Sequence, residues 1–129
     1  MLDYLDTSAF IKLVRSEPES FALRADMQSG GQIVSSALLV VEGRRAAARY
    51  GAVASARARG ALAAVTLLPL DDQTLERAAE LTPPELRSLD ALHLAAALTL
   101  GADLGRFYSY DGRLASDARK LGIDVHTPA

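Results

Sequence analysis

No cysteine occurs among the 129 residues, which excludes disulfides, thiolate nucleophiles and Cys-ligated zinc and fits a reducing cytoplasm. There is no run of about 18 uninterrupted apolar residues and no signal-peptide pattern, so a soluble, cytoplasmic domain without membrane contact is expected. Internal repeats, low-complexity tracts and linkers are also missing. The length suits a single domain over residues 1–129, large enough to bury about two-thirds of its unfolded surface. A formal net charge of −2 gives no global attraction to nucleic acid. One region nevertheless lacks acids altogether: between Gly43 and Leu70 stand Arg44, Arg45, Arg49, Arg57 and Arg59 with neither Asp nor Glu.

What is present starts with a short apolar run, Leu2 to Leu5, that ends on Asp6 and turns at once into helical spacing at Ala9, Phe10, Leu13 and Val14. An acid at that junction lies at the carboxyl end of a strand, where open α/β sheets place their ligand crevice, and Thr7 or Ser8 can cap the helix. Pro18 marks the approach to a second helix, which Gly30-Gly31 stops. Gln32 to Ser35 reads as a strand, with Ser35 or Ser36 capping a helix that carries Glu42 on its second turn. Alanine-rich sequence from Ala46 to Ala64 predicts a helical hairpin broken at Gly51 or Gly60. Val65–Leu70 is the next strand, followed by a helix capped by Asp71 or Asp72 that ends at Pro83-Pro84. Ser88 to Gly101 has the pattern of a buried helix with Ser88 as N-cap. Arg106 to Tyr110 then repeats the first device, a strand ending on an acid, Asp111, before a last helix and an edge strand at Ile123–His126. Strands alternating with helices predict a three-layer α/β/α sandwich around a short, mostly parallel sheet.

Asp6 and Asp111 therefore end strands that point the same way and open onto one crevice. Glu42 stands among valines and alanines, and Asp90 in the first turn of an otherwise apolar helix. A buried carboxylate without compensation costs several kcal/mol. Individual explanations exist: the positive end of its helix for Asp90, and an ion pair with Arg45 or Arg49 for Glu42. A shared explanation is a divalent cation held by oxygen ligands, Mg²⁺ or Mn²⁺ rather than zinc in the absence of Cys or a His pair. Its chemistry suits phosphodiester hydrolysis.

Tyr4-Leu-Asp-Thr-Ser-Ala-Phe-Ile-Lys-Leu13, Glu42 on the helix after a strand, Ser88-Leu-Asp-Ala-Leu-His-Leu-Ala95 and Tyr108-Ser-Tyr-Asp-Gly-Arg-Leu114 together resemble the PIN-domain ribonucleases, in particular the VapC toxins of bacterial toxin-antitoxin pairs. The resemblance runs nearly end to end. It implies a PIN-like fold and a Mg²⁺- or Mn²⁺-dependent endoribonuclease whose metal site is Asp6, Glu42, Asp90 and Asp111, with Ser8 and Ser109 in support. It further implies an RNA substrate, a small antitoxin partner and a homodimer. Gly43-Arg44-Arg45 and Gly112 depart from the family's usual residues; neither departure touches a metal ligand, so they bear on substrate contacts and not on the metal site.

Arg44, Arg45, Arg49, His93 and Arg113 are candidate contacts to RNA or to a partner, with Tyr50 beside the arginines. The competing reading makes the arginines a solvated helix face and His93 a satisfied structural residue. Asp117 falls off the helical face of Asp111 and reads as a solvated acid; His126 has no expected role. A haloacid-dehalogenase-like phosphatase also begins with strand-Asp, but it needs a second Asp where this chain has Ser8. A non-catalytic PIN-like binding protein is the remaining alternative, disfavoured by the presence of all four acids.

Overall fold

The computed structural model describes residues 1–129. Five strands, β1 (Leu2–Leu5), β2 (Gln32–Ser36), β3 (Thr66–Leu68), β4 (Leu104–Tyr108) and β5 (Val125–His126), form one sheet in the order β3-β2-β1-β4-β5. Every neighbouring pair is parallel. The helices are α1 (Thr7–Val14), α2 (Ser20–Gln28), α3 (Leu38–Ala48), α4 (Ala52–Ala63), α5 (Asp72–Glu80), α6 (Ser88–Leu98) and α7 (Gly112–Lys120). This is the expected α/β/α sandwich, with a sheet that is wholly rather than mostly parallel.

Successive residues of the inner strands serve opposite faces, because side chains alternate along a strand. Leu5 and Tyr108 pack with Phe10, Val14, Leu23 and Leu39 under α1 to α4. Their neighbours Tyr4 and Phe107 pack with Val34, Leu94 and Leu114 under α6 and α7. The Tyr4 and Phe107 rings stack at 5.1 Å with planes 2° apart. On the first face α3 lies close against α1: a Cβ added at buried Gly43 would stand 2.8 Å from the Phe10 ring. The glycine that departs from the family pattern therefore has a packing reason.

The structure decides between boundaries that the sequence left open and moves others. The α3–α4 hairpin breaks at Gly51, whose φ of 99° suits glycine, while Gly60 continues the helix. Asp6 itself, not Thr7 or Ser8, caps α1 by accepting from the Ala9 N–H. Ser88 is the first residue of α6 and Arg87 its N-cap. Ser36 does accept from the Leu38 N–H at 3.1 Å, but Ser35 turns inward and donates to the Leu5 carbonyl at 2.6 Å. Asp71 caps α5 through Thr74 as expected.

β1 and β4 also carry an irregularity that pattern reading does not show. Leu2 faces Leu104 but Tyr4 faces Phe107, so β4 has one residue more than β1 over that stretch. Such a bulge takes backbone groups out of the ladder. Buried Asp3 compensates: one carboxylate oxygen accepts the Arg106 N–H at 2.8 Å and the other the Gly31 N–H at 2.9 Å. Gly30 and Gly105 are small for the same reason, since a Cβ at either would collide with this carboxylate.

Candidate functional site

Asp6 directly follows β1, whereas β4 stops at Tyr108, two residues short of the expected strand end, so Asp111 is reached across Ser109 and Tyr110; β1 and β4 are neighbours in the sheet, and each acid caps the helix that follows. The Asp6 carboxylate is buried and accepts from the Ala9 N–H at 2.8 Å, the Ser8 hydroxyl at 2.6 Å and the Ser109 hydroxyl at 2.5 Å. Ser8 in turn accepts from the Tyr110 N–H at 2.8 Å, which ties the start of α1 to the segment between β4 and α7. Burial pushes Asp6 above the usual carboxylate range, although all three donors oppose the shift. Asp111 accepts from the N–H groups of Arg113 and Leu114 at 3.0 and 3.2 Å, both on one oxygen.

Glu42, half-buried on α3, meets neither Arg45 nor Arg49. Its Oε1 accepts from Thr7 at 2.9 Å and lies 2.7 Å from His93 Nε2. Burial raises its pKa, but the hydrogen bond and electrostatic pull of the His93 imidazole, with the bond from Thr7, outweigh that and hold it below the usual range. Asp90, in the first turn of α6, has a buried Oδ2 with no hydrogen-bond partner. Its pKa is raised by burial first and then by the negative charges of Asp111 and Asp117, against the opposing influence of Arg87 and His93. Asp90 therefore carries both a burial cost and repulsion from two neighbouring acids.

Three sequence readings need correction. His93 is only 3% exposed and bonded to Tyr4 and Glu42, so it is no surface contact for RNA or a partner. Asp117 does belong beside the acids: it acts on Asp90 and lines a cavity of about 290 Å³ with Arg87 and Arg113. Counting helical period from Asp111 misplaces it because Asp111 is a cap with extended backbone, φ −89° and ψ 108°, outside the helical phase. Tyr50 is engaged by Arg15, whose guanidinium carbon sits 3.7 Å from its ring centroid. Sequence reasoning missed Arg87; its one signal is its place immediately before the acid-bearing helix. Arg44 and Arg45 line, with Arg59, Ser55 and Val41, a groove of about 500 Å³ between α3 and α4 that none of the four acids enters.

A PIN-domain family model matches residues 4–120 of this arrangement. The chain belongs to the PIN-domain family. It is 47% identical over 126 residues to ribonuclease VapC46 of Mycobacterium tuberculosis (strain ATCC 25618 / H37Rv), covering 98% of this chain and 97% of that protein. It is 42% identical over 130 residues to ribonuclease VapC47 of the same species (strain CDC 1551 / Oshkosh), covering 97% and 96%. The crystal structure of Mycobacterium tuberculosis VapC20, described as a Sarcin-Ricin loop cleaving toxin, superposes with a TM-score of 0.70 at 18% identity, over 88% of this chain and 93% of that one. That likeness speaks for the fold.

In this PIN domain no three carboxylate or imidazole groups converge into a ready-made ion cage. The donors fit a hard divalent cation in kind: they are oxygens, and the buried Asp90 Oδ2 has no protein donor. Both bonds to Glu42 end on Oε1 and both bonds to the Asp111 side chain end on Oδ1, so each acid keeps a second oxygen for another partner. No helix is long and apolar enough to cross a membrane.

Proposed function

We propose that this PIN domain is a Mg²⁺- or Mn²⁺-dependent endoribonuclease, the toxin of a toxin-antitoxin pair, with Asp6, Glu42, Asp90 and Asp111 as its metal-holding acids. The observation that carries the metal site is the unpartnered, buried Asp90 oxygen beside Asp111 and Asp117. Burying such a group without a counter-charge is expensive, and a cation is the compensation that the oxygen donor set suits. Named ribonucleases at 47% and 42% identity over nearly the whole chain support RNA as the substrate and a small antitoxin as the partner. A homodimer is part of the same reading. When bound, such an ion would make water a better nucleophile and would offset charge on a phosphoryl oxygen. The chain's own contribution is to hold the acids: Ser8, Ser109 and the Ala9 N–H fix Asp6, and Thr7 with His93 fixes Glu42. Arg87 and Arg113 share a cavity with Asp117 and suit contacts to RNA phosphates.

The testing experiment incubates the purified chain with structured RNAs in Mn²⁺ or in EDTA. Cleavage is expected in Mn²⁺ and its loss in EDTA; cleavage that continues unchanged in chelator removes the metal mechanism. Stability supplies an independent check on Asp90. Asp90→Asn removes a charge from a repulsive, partly desolvated site while keeping its shape, so in EDTA the variant should melt at the wild-type temperature or above it. With Mn²⁺ at about 100 times Kd the wild type gains about 2.7 kcal/mol and the weaker-binding variant less, so the order reverses. Equal Mn²⁺ shifts in both proteins would show that Asp90 serves its helix instead.

The α3–α4 groove gives a separable expectation. Charge reversal at Arg44 and Arg45 should weaken RNA binding and reduce its log–log salt slope by about 0.7 per single-strand phosphate that the protein no longer neutralises, with Mn²⁺ affinity retained. Unchanged RNA binding together with abolished antitoxin binding would reassign the groove to the protein partner.

A further inference from the structure

His93 joins four elements through its two ring nitrogens. Nδ1 lies 2.7 Å from the Tyr4 hydroxyl on β1, and Nε2 lies 2.7 Å from Glu42 Oε1 on α3. The Tyr4 hydroxyl accepts the Ser36 N–H, at the end of β2, at 3.1 Å. Burial holds the Tyr4 phenol above its usual range, so it keeps its proton and donates it to Nδ1. The network therefore assigns the hydrogen to Nε2, which donates to Glu42. Thr7 donates to the same Oε1, and Oε2 is left without a protein donor. The imidazole also lies within electrostatic reach of Asp6 and Asp90.

We propose that His93 is a positioning residue for the acid cluster: fixed by Tyr4 as the Nε2–H tautomer, it holds Glu42 by one oxygen and leaves the other for a divalent cation. The proposal rests on the metal-dependent reading above. It differs from a purely structural role for His93 in one respect. Metal affinity should follow the presence of a donor at the Nε2 position, independently of how much stability a substitution costs.

Mn²⁺ affinity of the full chain, read by electron paramagnetic resonance titration, separates the two. His93→Leu should weaken Mn²⁺ binding by about 10- to 100-fold, the range for removing an outer partner of a metal ligand. His93→Gln should recover most of that loss, because its amide nitrogen can occupy the Nε2 position. It should do so even though both variants leave the Tyr4 hydroxyl without its acceptor and melt at lower temperature. Nitrogen-15 spectra of the metal-free wild type, which need no variant to fold, should show Nε2 protonated and Nδ1 bare. Tyr4→Phe should erode that preference. The proposal is overturned by an Nδ1–H tautomer, by His93→Leu binding Mn²⁺ as tightly as wild type, or by His93→Gln binding as weakly as His93→Leu. Wild-type protein that binds no Mn²⁺ would instead overturn the metal-dependent reading, and the role of His93 with it.

Discussion

Asp6→Asn is expected to lose at least about a hundredfold in RNA cleavage while keeping its fold and its melting temperature in EDTA. The magnitude follows from metal sites in general, where even outer-shell substitutions cost about 10- to 100-fold and a ligand should cost no less. The fold should survive because asparagine is among the best N-cap residues. Its amide oxygen can keep the bonds from the Ala9 N–H and the Ser8 hydroxyl. Its NH₂ group would face Ser109, whose hydroxyl can turn and accept instead of donating. The wild-type carboxylate is moreover held in a site whose burial disfavours its charge, so neutralising it costs the metal-free protein little or stabilises it. The check is cleavage of one RNA by both proteins in Mn²⁺ alongside their melting curves in EDTA. Cleavage within about tenfold of wild type by a folded variant would take Asp6 out of the chemistry.

The largest loss of stability should come from a residue remote from that chemistry. Asp3→Ala removes two hydrogen bonds to a carboxylate, each worth about 1.5–3 kcal/mol, and leaves the Gly31 and Arg106 N–H groups short of a partner. A cost of about 3–6 kcal/mol follows. It corresponds to a drop of about 12–24 °C at about 4 °C per kcal/mol for a chain of this size. Asp3→Asn should fall between the two proteins, since its oxygen can replace one acceptor but its amide nitrogen cannot replace the other. Asp3 lies three residues before Asp6 on β1, about 10 Å along an extended strand, so cleavage at low temperature should persist in the variant. Denaturant unfolding is the direct measurement. A loss under about 1 kcal/mol would show that water satisfies the bulge in place of Asp3.

How far these residues are legible in the sequence depends on the range of their partners. Asp6 and Asp111 can be found because the device is local: an apolar strand, an acid and a helix start within a few residues, and the acid caps that helix through N–H groups two or three positions away. Glu42 and Asp90 stand out by their apolar company, since a carboxylate among such neighbours along the chain is costly wherever the helix packs. The strand–helix alternation settles the layers for the same local reason, and the glycine punctuation marks the α3–α4 hairpin without choosing between Gly51 and Gly60. Asp3 gives no such signal, since its partners are 28 and 103 residues away and the bulge it compensates depends on how β1 and β4 are aligned. His93 reads as a contact from sequence because its Tyr4 and Glu42 partners stand 89 and 51 residues away. Asp117 reads as solvated because the helical phase is counted from a residue outside the helix.

Neighbours along the chain were enough for the alternating elements, for an acid between strand and helix at Asp6 and again at Asp111, and for the two acids that needed an explanation. Tertiary structure alone decided that Tyr4, Ser36, Glu42 and His93 form one hydrogen-bonded chain, that Asp90 feels the charges of Asp111 and Asp117, and that Asp3 closes the bulge of β4. Most of those pairings are between distant segments. Hydrogen bonds and charge interactions act over a few ångströms of space, whatever the separation in sequence, so only the packed sheet could bring them about.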